Sequence, residues 1–157
     1  MNIHIPQSLE ARAELKMLSA AQFNMISAQS SKPNVAVVQD SLLGAYRMTN
    51  TKDKLSKGQF FNIAMKIPQA PWSTYPKTED GMMGSKEIND RIQHIRRILR
   101  DKGKKTICFN GKGLVSLFLP NDFNYEKNND KNPNEPTVKI WRGVMYEGVL
   151  DKSIIGS

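Results

Sequence analysis

Apolar and polar residues alternate from Met1 to Ile5, with Met1, Ile3 and Ile5 apolar and Asn2 and His4 polar. That period of two predicts a strand, stopped by Pro6. Ser8 then stands as N-cap of a helix to about Ala20, with Ala11, Leu15 and Leu18 on its inward face. A polar loop, Ser27 to Pro33, separates this helix from a short apolar run, Val35 to Val38, predicted as a strand. Asp40 caps a further helix through Thr49 that buries Leu42, Leu43 and Tyr46. Ser56 and Gln59 form a capping box for a helix to about Lys66, with Phe60, Phe61 and Ala64 inward. Pro68, Pro71 and Pro76 mark a loop.

The strongest helical signal follows. Ser85 is its expected cap, and Ile88, Ile92, Ile95 and Leu99 recur at intervals of four, three and four before Gly103 stops the helix. Leu114 to Leu119 is predicted as a strand ending at Pro120. Asn121 to Pro136, rich in Asn, Asp and Lys, is predicted as an exposed excursion. Thr137 to Trp141 and Val144 to Leu150 flank Arg142-Gly143 as a hairpin. Together these elements make an α+β chain of mixed short helices and strands.

Composition adds three constraints. Hydrophobic residues make up 39% and charged residues 24%, the balance of a globular chain. No apolar run approaches the ~18 residues of a membrane-spanning helix, and no secretory leader pattern opens the chain. A single cysteine, Cys108, forms no internal disulfide and fits a reducing compartment. The net charge of +8 favours acidic partners such as nucleic acid, an acidic protein face or anionic lipid.

Candidate chemistry is sparse. His4 and His94 lie far apart, and Cys108 has no partner at metal-ligand spacing. Gly111-Lys112-Gly113 lacks the upstream glycine and the following Ser or Thr of a phosphate-binding loop. Glu79-Asp80, the adjacent acidic pair, sits in a polar loop. Arg91, Arg96, Arg97 and Arg100 give the 85–102 helix a basic character. Such a face either lies along a phosphate backbone or serves as a solvated surface.

A set of ordered segments carries more information. Met1-Asn2-Ile3-His4-Ile5-Pro6-Gln7-Ser8-Leu9-Glu10-Ala11-Arg12-Ala13-Glu14-Leu15 closely resembles the stretch after the Asn-Ala-Asp-Phe-Asp-Gly-Asp-Glu loop in the largest subunits of multisubunit DNA-directed RNA polymerases. Ile26-Ser27-Ala28-Gln29-Ser30-Ser31-Lys32-Pro33 resembles that family's Ile-Ser-Pro-Gln-Ser-Ser-Lys-Pro. Val38-Gln39-Asp40-Ser41-Leu42-Leu43-Gly44-Ala45-Tyr46 resembles its Val-Gln-Asp-Thr-Leu-Leu-Gly-x-Tyr. Phe109-Asn110-Gly111-Lys112-Gly113 is similar to Trp-Thr-Gly-Lys-Gln, and Gly148-Val149-Leu150-Asp151-Lys152 to Gly-Val-Leu-Asp-Lys. The likeness is densest over the first fifty residues, and the region from Trp72 to Lys105 does not align. Ala28 replaces a proline, and Phe109 and Gly113 stand where the family has Trp and Gln. The wording is of the eukaryotic type and similar to that of large DNA viruses.

The resemblance implies a polymerase fragment: a strand leaving the catalytic barrel and the end of the active-site domain over residues 1–25, then the pore domain over residues 26–157. It implies a nucleotidyltransferase context, with His4 and Gln7 near the active centre. Lys32 and Gln39 would line the pore through which nucleotides enter. Magnesium would be bound by the upstream aspartate loop and not by this chain, so the chain alone is expected to polymerise nothing. Met1 would then match an internal methionine, as in a split or truncated gene. A first strand cut from its neighbours is expected to lower solubility. Implied partners are the remainder of the largest subunit, the second-largest subunit, DNA template, RNA and nucleotides, with no membrane. The implied location is intracellular: a nucleus, or a virion or cytoplasmic factory for a viral protein. The alternatives are a standalone basic nucleic-acid-binding module and a nonfunctional remnant.

Overall fold

The computed structural model describes residues 2–104, 109–128 and 136–156. Its elements run in chain order α1 (Leu9–Met17), a 3-10 turn (Ala21–Phe23), α2 (Gln39–Asn50), α3 (Lys57–Ala64), α4 (Ser85–Asp101), α5 (Gly111–Phe118), β1 (Tyr125–Lys127), β2 (Val138–Trp141), β3 (Val144–Glu147) and α6 (Lys152–Ile155). Among the described residues the strands form one antiparallel sheet in the order β1-β2-β3. The fold is therefore α+β, as the sequence predicts.

Local chemistry explains most boundaries. Ser8 Oγ accepts the Ala11 N–H to start α1. Ser56 and Gln59 form the reciprocal capping box of α3. The α4 helix begins one residue earlier than expected, with Gly84 as N-cap and Ser85 its first residue. It stops where Gly103 takes φ +65° and Lys104 N–H donates to the Leu99 carbonyl. Arg142 and Gly143, at φ +48° and +74°, form the two-residue turn between β2 and β3. Positive φ at both positions matches the twist of a hairpin.

Two apolar clusters make the core. One gathers Phe60, Ala64, Ile88, Ile95, Leu114, Leu117 and their neighbours; the other gathers Val115, Val138, Ile140, Met145 and Leu150. Helix α5 lies between them and feeds both. This corrects the strand expected over Leu114 to Leu119. Asn110 Oδ1 accepts the Gly113 N–H and caps a helix that is apolar on opposite sides because both sides are covered. Burying Leu114 and Leu117 stabilises the fold by roughly 1.5–3 kcal/mol each.

Buried polar groups tie the layers. Ser116 Oγ donates to the Lys112 carbonyl and accepts the Met145 N–H, joining α5 to β3. Thr49 Oγ1 donates to the Ala45 carbonyl and accepts the Leu150 N–H, joining α2 to the segment after β3. Gly148, at φ +88°, leaves room for Val138, whose backbone a Cβ there would strike.

Other expectations fail for physical reasons. Residues 2–7 form no strand, since no described strand lies beside them to pair. Val35 to Val38 likewise form none. Helix α1 ends at Met17 and buries nothing: Leu15 and Leu18 are exposed. In α2, Val38 rather than Asp40 is the N-cap, and Thr49 rather than Leu42, Leu43 or Tyr46 is buried. Helix α3 ends at Ala64, and Phe61 is half-buried. Strand β1 lies inside the stretch expected to be an excursion. Residues 129–135 of that stretch, and Cys108, lie outside the described residues.

Candidate functional site

Helix α2 is where the resembling segments meet. At its N-terminus, Gln39, Leu42, Leu43 and Tyr46 line a groove of about 300 Å³ with Asp151 and Lys152. Asp151 is fixed as the N-cap of α6, accepting from Ser153 N–H and Oγ–H. At the other end of α2, Gly111 packs so closely on the Met48 carbonyl that any side chain there would collide with it. The Thr49–Leu150 hydrogen bond of 2.9 Å lies one residue beyond that contact. Segments 38–46, 109–113 and 148–152, separated by up to a hundred residues, thus assemble around one helix.

The loop that carries Lys32 is ordered by its own hydrogen bonds. Ser27 N–H donates to the Lys32 carbonyl, Asn34 N–H to Met25, and Asn34 Nδ2 to Asn24. Asn24 Nδ2 in turn reaches the carbonyls of Leu18 and Ala20. These bonds hold the loop despite Ala28 in place of proline. The side chains of His4, Gln7, Lys32 and Gln39 are all exposed. Gln39 is the one of the four that meets a second resembling segment, across the groove at Asp151 and Lys152.

The four arginines of α4 divide by environment. Arg91 is buried, and its guanidinium donates to the Leu119 carbonyl at 2.7 Å and to Asn121 Oδ1 at 3.0 Å. Arg96 lies 5.4 Å from the Phe109 ring centroid. Arg97 and Arg100 are exposed. The basic surface of this helix is therefore narrower than the sequence alone suggests.

Beside Arg91 lies a cleft of about 340 Å³. Its floor is the buried Glu87 carboxylate, which accepts from Ser73 Oγ–H at 2.8 Å and Gln69 Nε2–H at 3.1 Å. Tyr75 Oη–H donates to Asp90 at 2.7 Å; this bond and burial raise the phenol above its ordinary range. His94 Nε2 faces the Arg142 carbonyl at 2.9 Å and must be the donor there. Glu87, Tyr75 and Asp90 had no motif to mark them in the sequence, since loop and helix bring them together. The described residues bring no three of His, Cys, Asp and Glu into a geometry that could hold a metal. No described helix is long and apolar enough to cross a membrane.

A second cleft, of about 220 Å³, is lined by Lys52, Lys54, Lys104 and Lys112 above Ile95, Leu99 and Tyr146. Lys112 is half-buried, and burial pushes its ammonium below the ordinary lysine range, with Lys104 adding repulsion and Glu147 opposing it. Glu147 pairs with Lys104 and Lys139.

Comparison with known proteins gives concordant results. The family described as RNA polymerase Rpb1, domain 3, matches residues 24–157. A probable DNA-directed RNA polymerase II subunit RPB1 homolog of Invertebrate iridescent virus 6 is 38% identical over the whole chain. The DNA-directed RNA polymerase II subunits RPB1-A and RPB1-B of Trypanosoma brucei brucei are each 32% identical over the whole chain. The chain spans 14% of the length of the viral relative and 8% of the length of each trypanosome relative.

Proposed function

This chain belongs to the RNA polymerase Rpb1, domain 3, family, and from that premise we propose that it works as part of the largest subunit of a DNA-directed RNA polymerase, bordering the active centre and the pore through which nucleotides enter. The convergence of segments 38–46, 109–113 and 148–152 on helix α2 is the observation that carries this reading. Segments that resemble one family and that also pack together form a single structural unit rather than scattered likenesses. In this reading residues 1–25 end the active-site domain and residues 26–157 form the pore domain.

Within that unit His4 and Gln7 stand on the exposed N-terminal segment that would face the active centre. Lys32, held out by its hydrogen-bonded loop, offers a cation to passing phosphates, and Gln39 offers an amide at the mouth of the α2 groove. Magnesium, which the polymerase context requires for nucleotidyl transfer, would be held by the upstream aspartate loop in this reading, and this chain's contribution is positioning. The remainder of the largest subunit, the second-largest subunit, DNA, RNA and nucleotides are the proposed partners. A nucleus, or a virion or cytoplasmic factory, is the proposed location.

The exposed apolar side chains of residues 2–38, among them Ile3, Leu9, Phe23 and Ile26, fit a surface that the rest of the subunit covers. Similarity along the whole chain to polymerase subunits does not favour a standalone basic module or a remnant. The test is co-expression with the aspartate-loop portion of a largest subunit and with a second-largest subunit. A co-purifying complex with magnesium-dependent, template-directed nucleotide incorporation, absent from the chain alone, is expected. Failure to co-purify, or incorporation by the chain alone, would overturn the reading.

A further inference from the structure

The lysine cleft takes cations from three separated places in the chain. Lys52 and Lys54 come from the α2–α3 connection, Lys104 from just beyond α4, and Lys112 from the first turn of α5. Only packing of α4 on α5 and of α2 on α5 brings them together. The cleft is concave, with Ile95, Leu99 and Tyr146 as its floor. Its acidic neighbour, Glu147, is already engaged by Lys104 and by Lys139, 3.7 Å away. Asp53 lines the adjacent groove on the α2 side instead. Positive charge is therefore in surplus inside the cleft.

From this geometry we infer that the cleft is a binding site for closely spaced phosphates, such as those of a single-stranded nucleic acid backbone or of a triphosphate tail. Lysines act as mobile point charges toward phosphate, and four of them around a small concavity match several charged oxygens at once. Low-dielectric walls strengthen each contact. The partial burial of Lys112 fits the same picture, because an incoming anion restores the compensation that burial removes. One further feature extends the site. On the other side of Tyr146, Lys102 lies 4.7 Å from the centroid of the exposed Trp141 ring, so cationic and aromatic groups continue beyond the cleft.

The inference stands on the cleft and not on the polymerase reading, and its test reads binding rather than synthesis. The 157-residue chain is titrated against a fluorescein-labelled single strand of about eight nucleotides, across a range of salt, with tripolyphosphate as competitor. Two variants probe the cleft: Lys112→Gln, and the doubly substituted Lys52→Gln/Lys54→Gln, whose exposed positions do not endanger folding. Arg97→Gln/Arg100→Gln, on the exposed side of α4, removes the same charge elsewhere. The double cleft variant is expected to weaken binding by about tenfold and to make the salt slope shallower by about 1.4, roughly 0.7 for each lost phosphate contact. Displacement of the strand by tripolyphosphate points to a triphosphate tail. Strand binding that tripolyphosphate leaves intact points to a backbone; both support the site. No measurable binding, cleft variants that bind like the parent chain, or an equal loss in the arginine variant would overturn it. None of those results would bear on assembly with polymerase subunits.

Discussion

In residues 2–38, Leu9, Met17 and Leu18 are 81%, 68% and 70% exposed, whereas Ile88, Ile92, Ile95 and Leu99 of α4 are at most 8% exposed. Both regions contain helices, and both place apolar residues at helical spacing. The difference lies in what surrounds them. Helix α4 has α5 and β3 against its apolar stripe, while α1 buries no side chain. Amphipathic spacing states a demand for burial, and only tertiary neighbours meet it. A region that folds locally and leaves its apolar side chains open is shaped for a surface outside itself.

The largest effect that separates the regions is a cavity mutation. Leu117→Ala, at a side chain buried among α3, α4 and β3, should cost about 2–5 kcal/mol. Leu18→Ala, in the exposed region, should change stability by no more than about 0.5 kcal/mol. Urea denaturation followed by circular dichroism measures both. A comparable loss from Leu18→Ala would mean that the N-terminal segment packs on the core, erasing the contrast.

The same contrast explains how far the sequence could be read. Helix α4 was legible because its stripe, its basic last turn and Gly103 agree. The α3 capping box and the Arg142-Gly143 turn were legible because their chemistry is local. Helix α5 was not, since Leu114 to Leu119, five apolar residues among six, suit a buried strand or a helix covered on two sides. Asn110 as cap and the two clusters flanking α5 decide the matter, and the second of these is tertiary. Strands at Met1 to Ile5 and Val35 to Val38 needed a partner that no local pattern supplies. Of the site, the resembling segments were visible but their meeting on α2 was not. The lysine cleft joins positions 52, 54, 104 and 112, a spacing with no signature in one dimension.

A smaller effect sharpens the comparison. Ser56→Ala removes the capping box of α3, whose Phe60 is fully buried, and should lower global stability by about 1 kcal/mol. Ser8→Ala removes the equivalent bond in α1. Because α1 buries no side chain, its loss should leave global unfolding unchanged and appear only as faster amide exchange within residues 9–17. Global destabilisation by Ser8→Ala would show that α1 unfolds together with the core.

The smallest effect is electrostatic and tests whether the packed region also gains from its surface charges. Glu147, on β3, has its carboxyl held below the ordinary carboxylate value of 4.5, first by the Lys104 hydrogen bond and further by the charges of Lys104 and Lys139, against an opposing contribution from burial. A carboxyl lowered in the folded state binds fewer protons there than in the unfolded chain. Its stabilisation is therefore complete above the ordinary value and declines as pH falls from there through the lowered folded value. Both partners are substantially solvated, so screening limits the pair to about 0.2–1 kcal/mol. Glu147→Gln should lower stability by that amount at neutral pH and make the acid limb of the stability profile correspondingly flatter, with the difference shrinking as salt rises. Parallel profiles for the two proteins from neutral pH down through the carboxylate range would show that β3 is held by its pairing with β2, by Val144 and Met145 and by the Ser116 hydrogen bond, without its ion pairs. Charge would then play no part in distinguishing the packed region from the open one.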